Sequence, residues 1–159
     1  MTGDLAESVL DRARRAGVMI TAAESCTGGM VSAALTAIAG SSDVVERGFV
    51  TYSNEAKHEM LGVPMALIET DGAVSESVAR AMAEGALAQS RAQLAVSITG
   101  IAGPGGGSDG KPVGLVWFGL AQAGRDTLTR REVFAGDRAG VRAASVEIAL
   151  TLLKDALAD

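Results

Sequence analysis

Cysteine, histidine and aromatic residues are scarce in this sequence. Cys26 is the only cysteine, so the chain cannot form an internal disulfide. The one histidine, His58, has no acidic partner at a suggestive spacing, and we expect it on the solvated surface. No His, Cys or paired carboxylates have the spacing of metal ligands, so we expect neither a catalytic metal nor another cofactor. One Trp, one Tyr and three Phe are too few for a platform that stacks bases.

Clustered positive charge and long apolar runs are also missing. The 14 basic residues are outnumbered by 19 acidic ones, which gives a net charge of -5. Binding to phosphate backbones needs clustered lysine and arginine, so nucleic acid is not expected as a direct partner. No apolar run approaches the roughly 20 residues of a membrane-spanning helix, so no membrane is expected. The first 15 residues are charged and helical in pattern, unlike a signal peptide, and together with the lone cysteine they predict a cytoplasmic protein.

What the sequence does contain is an alternation of strand and helix patterns. Its 159 residues, 48% of them hydrophobic, suit a single domain over 1–159. Helices are predicted at 4–17, 30–39, 54–61 and 75–91, with a last one from 136–137; strands are predicted at 18–23, 48–53, 94–99, 115–123 and 127–134. This order predicts an α/β fold, a three-layer α/β/α sandwich with a mixed, largely parallel sheet plus a C-terminal β-hairpin.

Three predicted strand ends carry polar or glycine-rich sequence, at 24–29, 52–57 and 99–110. Ligands of open α/β sheets bind beyond the carboxyl ends of the strands, so we expect these segments to converge on one cleft. Ser25 or Thr27 is expected to cap the helix that follows the first segment. The amides of Thr27, Gly28 and Gly29 could then face an anion or a developing oxyanion. The alternative, a capped helix start with small residues for tight packing, stays open.

A serine nucleophile needs a base, and the usual local signatures around Ser25 are missing. Lys57 is the better candidate base, provided that burial or a nearby cation lowers its pKa from about 10.4. The alternative for Lys57 is that it is only an exposed lysine on a helix. The alternative for Tyr52 is that it is a core residue whose hydroxyl bonds to the backbone. Cys26 near a helix N-terminus is a second candidate nucleophile, although a lone cysteine is more often a small buried residue.

The segment 105–112 satisfies the glycine and lysine spacing of a P-loop. Pro112, however, stands where a P-loop needs its magnesium-binding Ser or Thr, and a strand follows instead of a helix. We therefore reject a nucleoside triphosphatase. The glycines could let backbone amides approach a phosphate, or they could form only a mobile surface connection.

Ordered motifs along nearly the whole chain resemble the C-terminal domain family of the competence/damage-inducible protein CinA. The segments that carry the resemblance are 21–29, 39–42, 48–57, 72–75, 97–104, 111–114 and 134–138. Their number and spacing make the resemblance highly specific. It implies hydrolysis of the carboxamide of nicotinamide mononucleotide to nicotinic acid mononucleotide and ammonia, in pyridine nucleotide recycling.

The resemblance also implies roles for particular residues. The serine, tyrosine and lysine of the family fall on Ser25, Tyr52 and Lys57, so that Lys57, directly or through Tyr52, would remove the proton of Ser25. Thr99 and Gly100 would hold ribose or phosphate, and Arg138 would pair with the phosphate. The larger family members carry an additional N-terminal domain, which we do not expect here.

Two further expectations follow from the resemblance. Together with the apolar first and last helices, it suggests a homo-oligomer. The competing function is a noncatalytic nucleotide-sensing or partner-binding module linked to competence or DNA damage, and the presence of Ser25, Tyr52 and Lys57 counts against it.

Overall fold

The computed structural model of the protein describes residues 2–158. Within that range the helices are α1 (Thr2–Ala16), α2 (Met30–Thr36), α3 (Asn54–Leu61), α4 (Met65–Asp71), α5 (Glu76–Ala88) and α6 (Arg138–Ala156). The strands are β1 (Ile20–Glu24), β2 (Phe49–Val50), β3 (Leu94–Gly100), β4 (Leu115–Gln122) and β5 (Leu128–Val133). A short 3₁₀ turn, Ser41–Asp43, lies between α2 and β2.

The strands form one sheet in the order β2-β1-β3-β4-β5. β1 pairs in parallel with both β2 and β3, whereas β4 is antiparallel to β3 and to β5. Among the strands of residues 2–158, four therefore point the same way and only β4 is reversed. The mixed, largely parallel sheet with its C-terminal hairpin is confirmed.

Helices cover both faces of this sheet. The buried apolar residues of α1, α2 and α6 pack on one face, against Ile20, Val96, Ile98 and Phe118. Those of α3, α4 and α5 pack on the other, against Ala23, Ala95 and Ala121. The sheet residues alternate between the two clusters, as the period of two along a strand requires. The predicted three layers are confirmed.

The parallel half of the sheet brings three strand ends together. Glu24 at the end of β1 lies opposite Val50 of β2 and Ile98 of β3. Because the three strands run in the same direction, the residues that follow them emerge at one edge of the sheet.

The start of α2 differs from the prediction. Its N-cap residue is Gly29, with φ of 107° and no side-chain cap, so the expectation that Ser25 or Thr27 caps the helix is wrong. The carboxylate of Glu24 accepts hydrogen bonds from the amides of Val31 and Ser32 instead, at 2.9 and 3.0 Å. The cap therefore comes from the end of the preceding strand rather than from the connecting turn.

Two further differences lie between β2 and α5. The second strand is only two residues long, since Ser53 already turns the chain into α3 by accepting a hydrogen bond from the amide of Ala56. Helix α4 was not predicted. Pro64 precedes it as N-cap, and its seven residues bury only Ile68, too little for a helical pattern to show in the sequence.

Candidate active site

A cavity of about 260 Å³ lies at the edge where β1, β2 and β3 end. It is lined by Ser25, Cys26, Tyr52, Asn54, Lys57, Ala73, Val74, Thr99, Gly100, Ala102 and Arg138. The expected convergence of the three strand ends on one cleft is confirmed. A larger hollow of about 650 Å³ lies between Pro64 and α5, but no lysine lines it within the described chain. The smaller cavity is therefore the candidate for chemistry.

Ser25 and Lys57 contact each other in this cavity. Lys57 Nζ lies 3.1 Å from Ser25 Oγ, although 32 positions separate the two residues. The serine is 8% exposed and the lysine 1%. Nζ also donates to the backbone oxygens of Tyr52 and Ser53, at 3.3 and 3.5 Å. The amine is thus held against the hydroxyl, within the reach that proton transfer requires.

Burial lowers the pKa of Lys57 below its ordinary value, because the interior disfavours the ammonium form. The Cys26 thiolate, where it forms, and the charge of Glu55 act in the other direction, and burial is the largest of the three causes. No carboxylate forms a salt bridge with Lys57 in the described chain. The alternative of an exposed helix lysine is wrong, and the amine has the environment that a general base needs.

Ser25 opens a tight turn whose shape depends on Glu24. The Glu24 carboxylate is fully buried and accepts four hydrogen bonds, from the hydroxyls of Thr27 and Ser32 and from the two α2 amides named above. The Thr27 bond is the shortest, at 2.6 Å. A buried carboxylate is tolerated only when it is hydrogen-bonded, so these bonds must persist in the folded protein. Because they come from Thr27 and from the first turn of α2, Glu24 joins the turn to the start of that helix.

Thr27, Gly28 and Gly29 do not line the cavity. Thr27 is fully buried with its hydroxyl on Glu24, and the amide of Gly28 donates to the carbonyl of Ser25 at 3.0 Å. A substrate contact from these three residues stays a prediction, whereas the structure shows Thr27 and Gly28 engaged within the turn.

Cys26 is the one residue after Ser25 in this turn that also lines the cavity. Its amide donates to no other residue among residues 2–158, although it contacts the Cys26 thiol itself. The amide of the residue after a nucleophile is a frequent oxyanion donor. The thiol of the same residue is unsuited to attack, because burial raises its pKa to about 11 and so keeps it protonated near neutral pH.

Thr99 and Gly100, at the end of the strand next to the serine turn, also line the cavity. Thr99 is almost fully buried, and its hydroxyl donates to the carbonyl of Ala73 at 2.8 Å. A Cβ atom on Gly100 would lie 2.7 Å from Val116 Cγ2 and 2.9 Å from the Leu115 carbonyl oxygen. The glycine is therefore needed where β3 approaches β4, whatever else it contacts.

Tyr52 and Arg138 meet at the mouth of the cavity. Arg138 Nη2 donates to the Tyr52 hydroxyl at 3.1 Å, and Nη1 donates to the carbonyl of Gly103 at 2.9 Å. Tyr52 is 61% exposed, so the alternative of a core tyrosine is wrong. Within the described chain its hydroxyl has no bond to Lys57 or Ser25, and the lysine contacts the serine directly.

Sequence reasoning missed one residue that contacts the serine turn. Arg142 on α6 donates from Nε to the carbonyl of Cys26 at 3.0 Å and from Nη2 to that of Thr27 at 3.4 Å. It lies four positions after Arg138, so both arginines share one face of the first turns of α6. This spacing could have identified Arg142 from the sequence. Arg138 was expected at the cavity, and a residue four positions later lies on the same face of a helix.

The remaining sequence expectations have mixed outcomes. His58 is exposed, as expected, with Nδ1 2.8 Å from the carbonyl of Val63. Residues 104–110 of the glycine-rich loop are exposed and none of them lines the cavity. None of the helices in residues 2–158 is long and apolar enough to span a membrane.

Comparison with known proteins gives a consistent family. The model of the CinA C-terminal domain family matches residues 2–157. A protein named nicotinamide-nucleotide amidohydrolase PncC, from Escherichia coli strain K12, is 54% identical over 149 residues, which are 94% of this chain and 90% of the relative. A CinA-like protein of Mycolicibacterium vanbaalenii is 55% identical over 142 residues, 89% of this chain but 34% of that longer protein.

The fold agrees with these sequence matches. The crystal structure of a competence/damage inducible protein from Agrobacterium tumefaciens superposes with a TM-score of 0.94 at 48% identity, covering 96% of this chain and 93% of that one. The shared fold and the matching sequence extend over almost the entire chain. This protein is a member of the CinA C-terminal domain family.

Proposed function

We propose that this protein is a nicotinamide-nucleotide amidohydrolase, which converts nicotinamide mononucleotide and water to nicotinic acid mononucleotide and ammonia. The observation that carries the proposal is the 3.1 Å contact between Lys57 Nζ and Ser25 Oγ inside a cavity. The name of the relative from Escherichia coli, 54% identical over 94% of this chain, supports the substrate and the reaction.

In the first half of the reaction, Ser25 becomes acylated. Neutral Lys57 takes the Ser25 proton while Oγ attacks the carboxamide carbon of the substrate. The Lys57 ammonium then returns this proton to the leaving nitrogen, so ammonia departs and an acyl-serine ester remains. The buried position of Lys57 supports this role, because it favours the neutral amine that the first step needs.

In the second half, water replaces ammonia. Lys57 takes a proton from the water as its oxygen attacks the ester carbon, and it returns a proton to Ser25 Oγ when the carboxylic acid product leaves. The same pair of groups therefore serves both halves, and the enzyme ends in its starting protonation state.

The negative charge that develops on the carbonyl oxygen needs a donor. The amide of Cys26 is the donor we assign, because it adjoins the nucleophile in a residue that lines the cavity and donates to no other residue within the described chain. We do not assign the amide of Thr27, since this residue does not line the cavity.

Arg138 is the residue we assign to the phosphate of the substrate. Its guanidinium lines the mouth of the cavity and forms no salt bridge among the described residues. Guanidinium groups bind phosphate through two parallel hydrogen bonds. A phosphate at this position takes over the Nη2 donor that now bonds to Tyr52, and the tyrosine hydroxyl is freed towards the substrate.

The charge of the substrate assists the base. The pyridinium ring is positive and adjoins the carboxamide, so its arrival near Lys57 further disfavours the ammonium form. It also withdraws electrons from the carbonyl carbon under attack. Both effects are lost in a neutral pyridine amide, which should therefore react more slowly.

The experiment is ammonia release by the purified protein from nicotinamide mononucleotide, nicotinamide riboside and nicotinamide, with products identified by mass. We expect the mononucleotide to be the best substrate. Arg138→Ala should raise its KM about 10- to 100-fold, the cost of one or two charge-assisted hydrogen bonds, and leave the riboside unaffected. A nucleotide that binds with no ammonia released would refute the proposal and favour a noncatalytic sensing module.

The location, oligomeric state and partners that we propose are those predicted from the sequence. We propose a cytoplasmic homo-oligomer that acts on a small-molecule nucleotide and does not bind nucleic acid directly. Light scattering of the purified protein measures the oligomeric state, and a strictly monomeric protein at assay concentration would contradict that part.

A further inference from the structure

We propose that Arg142 is a positioning residue for the nucleophile, because it holds the Ser25 turn in the orientation that the reaction needs. This inference rests on the proposed amidohydrolase function. Arg142 contacts neither Ser25 nor the cavity. It acts through the backbone of residues 26–28, which joins the nucleophile to α2.

The two hydrogen bonds of Arg142 go to consecutive carbonyls of that backbone, those of Cys26 and Thr27. The guanidinium forms no ion pair with an acid in the described chain. Its charge-assisted donors are thus directed at peptide oxygens, and such bonds are stronger than neutral ones.

Peptide planarity converts this contact into control of the donor directions. In a trans peptide the carbonyl and the next amide point in opposite directions, so holding the Cys26 carbonyl towards α6 turns the Thr27 amide away from α6. The carbonyl of Ser25 is likewise held by the amide of Gly28, which points the Cys26 amide the opposite way. Two successive peptide planes next to the nucleophile are therefore fixed.

Gly28 permits the backbone conformation of this turn. Its φ is 58°, in the region that favours glycine, and Arg142 Nη2 lies at an ordinary contact distance of 3.4 Å from where a Cβ atom would stand. The hydroxyl of Thr27 donates to Glu24 at the end of β1. An arginine on α6 and a glutamate on β1 thus both hold the turn, which we call the clamp, and these contacts account for a hydroxyl at position 27 without a substrate contact.

The chain offers a matched control for the clamp. Arg12 also donates to two backbone carbonyls, those of Lys154 and Leu157, at 3.1 and 3.2 Å. These lie near the end of α6, and neither they nor Arg12 line the cavity. Among the contacts that Arg12→Ala removes are thus two bonds of the same kind, outside the cavity.

The experiment compares Arg142→Ala, Arg142→Lys and Arg12→Ala with the wild type. We expect Arg142→Ala to lower kcat about 30- to 100-fold, the scale of a small misplacement of reacting groups, with KM changed less than about threefold. Arg142→Lys keeps the charge but not the planar fork, and should lose about tenfold. Millimolar guanidinium should restore part of the kcat of Arg142→Ala, whereas sodium chloride at equal ionic strength should not. Arg12→Ala should retain kcat within about twofold.

A second readout does not depend on turnover. Hydrogen exchange of the amides in 26–29 should accelerate in both Arg142 variants and not in Arg12→Ala, since opening of a turn is limited by the contacts that close it. Unchanged exchange in this segment, or kcat losses equal in Arg142→Ala and Arg12→Ala, would overturn the inference. If the wild type releases no ammonia, the proposed function fails instead, and the exchange comparison alone decides for or against the clamp.

Discussion

The serine turn, residues 24–29, and the glycine-rich loop, residues 103–110, follow neighbouring strands at the same edge of the sheet. Both are rich in small residues, yet residues 24–27 are buried and residues 104–110 are exposed. Hydrogen bonds to Glu24 of β1 and from Arg142 of α6 hold the turn. Within the described chain, the loop has side-chain hydrogen bonds only near its two ends, from Arg138 to the Gly103 carbonyl and from Lys111 to the Asp71 carbonyl. Small residues thus serve close packing in the turn and an open backbone in the loop.

The first way to sharpen this comparison is to remove the base that faces the turn. Lys57→Met should lower kcat by at least about 10³-fold, because Ser25 then has no group to take its proton. The same variant should unfold at a higher denaturant concentration than the wild type at neutral pH, since an apolar side chain replaces a buried amine. Urea titrations beside the ammonia assay measure both, and retained turnover would contradict the role of Lys57.

The second way is to remove the Glu24 carboxylate, which accepts the hydrogen bonds that hold the turn. Glu24→Ala leaves the hydroxyl of Thr27 and the first amides of α2 without their acceptor, in a fully buried position. We expect a loss of about 3 kcal/mol in the free energy of unfolding. The control is Glu132→Ala, whose partner Arg130 is partly exposed, and for which a loss below about 1 kcal/mol is expected. Equal losses in the two variants would show that Glu24 does not hold the turn.

The pH dependence tests the environment of the base. Since burial lowers the pKa of Lys57, kcat should rise about tenfold per pH unit below that pKa and level off before the ordinary lysine value of about 10.4. The free energy of unfolding should also rise with pH. Between the folded and the unfolded pKa of Lys57 the unfolded chain binds more protons, so stability increases with pH there. Below the folded pKa, the full cost of burying the Lys57 ammonium lowers the stability. A flat kcat profile, or a stability slope unchanged in Lys57→Met, would contradict this assignment.

The smallest effect separates the two glycine-containing segments directly. Gly28→Ala forces a side chain to a φ of 58° beside Arg142 and should cost about 1 to 2 kcal/mol. A Cβ atom on Gly105 would meet nothing within 4 Å, and its φ is not positive. Gly105→Ala should therefore stay within about 0.5 kcal/mol of the wild type. Thermal unfolding of both variants checks the comparison, which equal shifts would refute.

Much of the fold could be predicted from the sequence because its signals are local. The starts of the predicted helices at 75 and at 136–137 and the C-terminal hairpin follow from short patterns, and the structure confirms all three. Ser75 and Asp137 are the N-cap residues of α5 and α6. Helix α4 was missed because seven residues with a single buried side chain carry no period. The predicted cap of α2 was wrong because the acceptor for its first amides, Glu24, lies in the preceding strand, outside the local cap pattern.

The site divides in the same way. Strand ends could be located from the sequence, so the cavity wall at Ser25 and Thr99 was within reach. The burial of Lys57 was not, because α3 contributes only eight residues and its inner face is decided by the packing of α5. Contacts across the fold, such as Arg142 on the Cys26 carbonyl, depend on how α6 crosses the sheet, which no local pattern contains.

The central claim is that Ser25 attacks the amide with Lys57 as its base, and acid-quenched mass spectrometry of the enzyme during turnover tests it most directly. With nicotinamide mononucleotide, the wild type should carry the substrate minus ammonia as an ester on the peptide that contains Ser25. Ser25→Ala should carry no adduct and release no ammonia, while Cys26→Ala should behave as the wild type. Turnover that persists in Ser25→Ala, or an adduct on Cys26, would contradict the account.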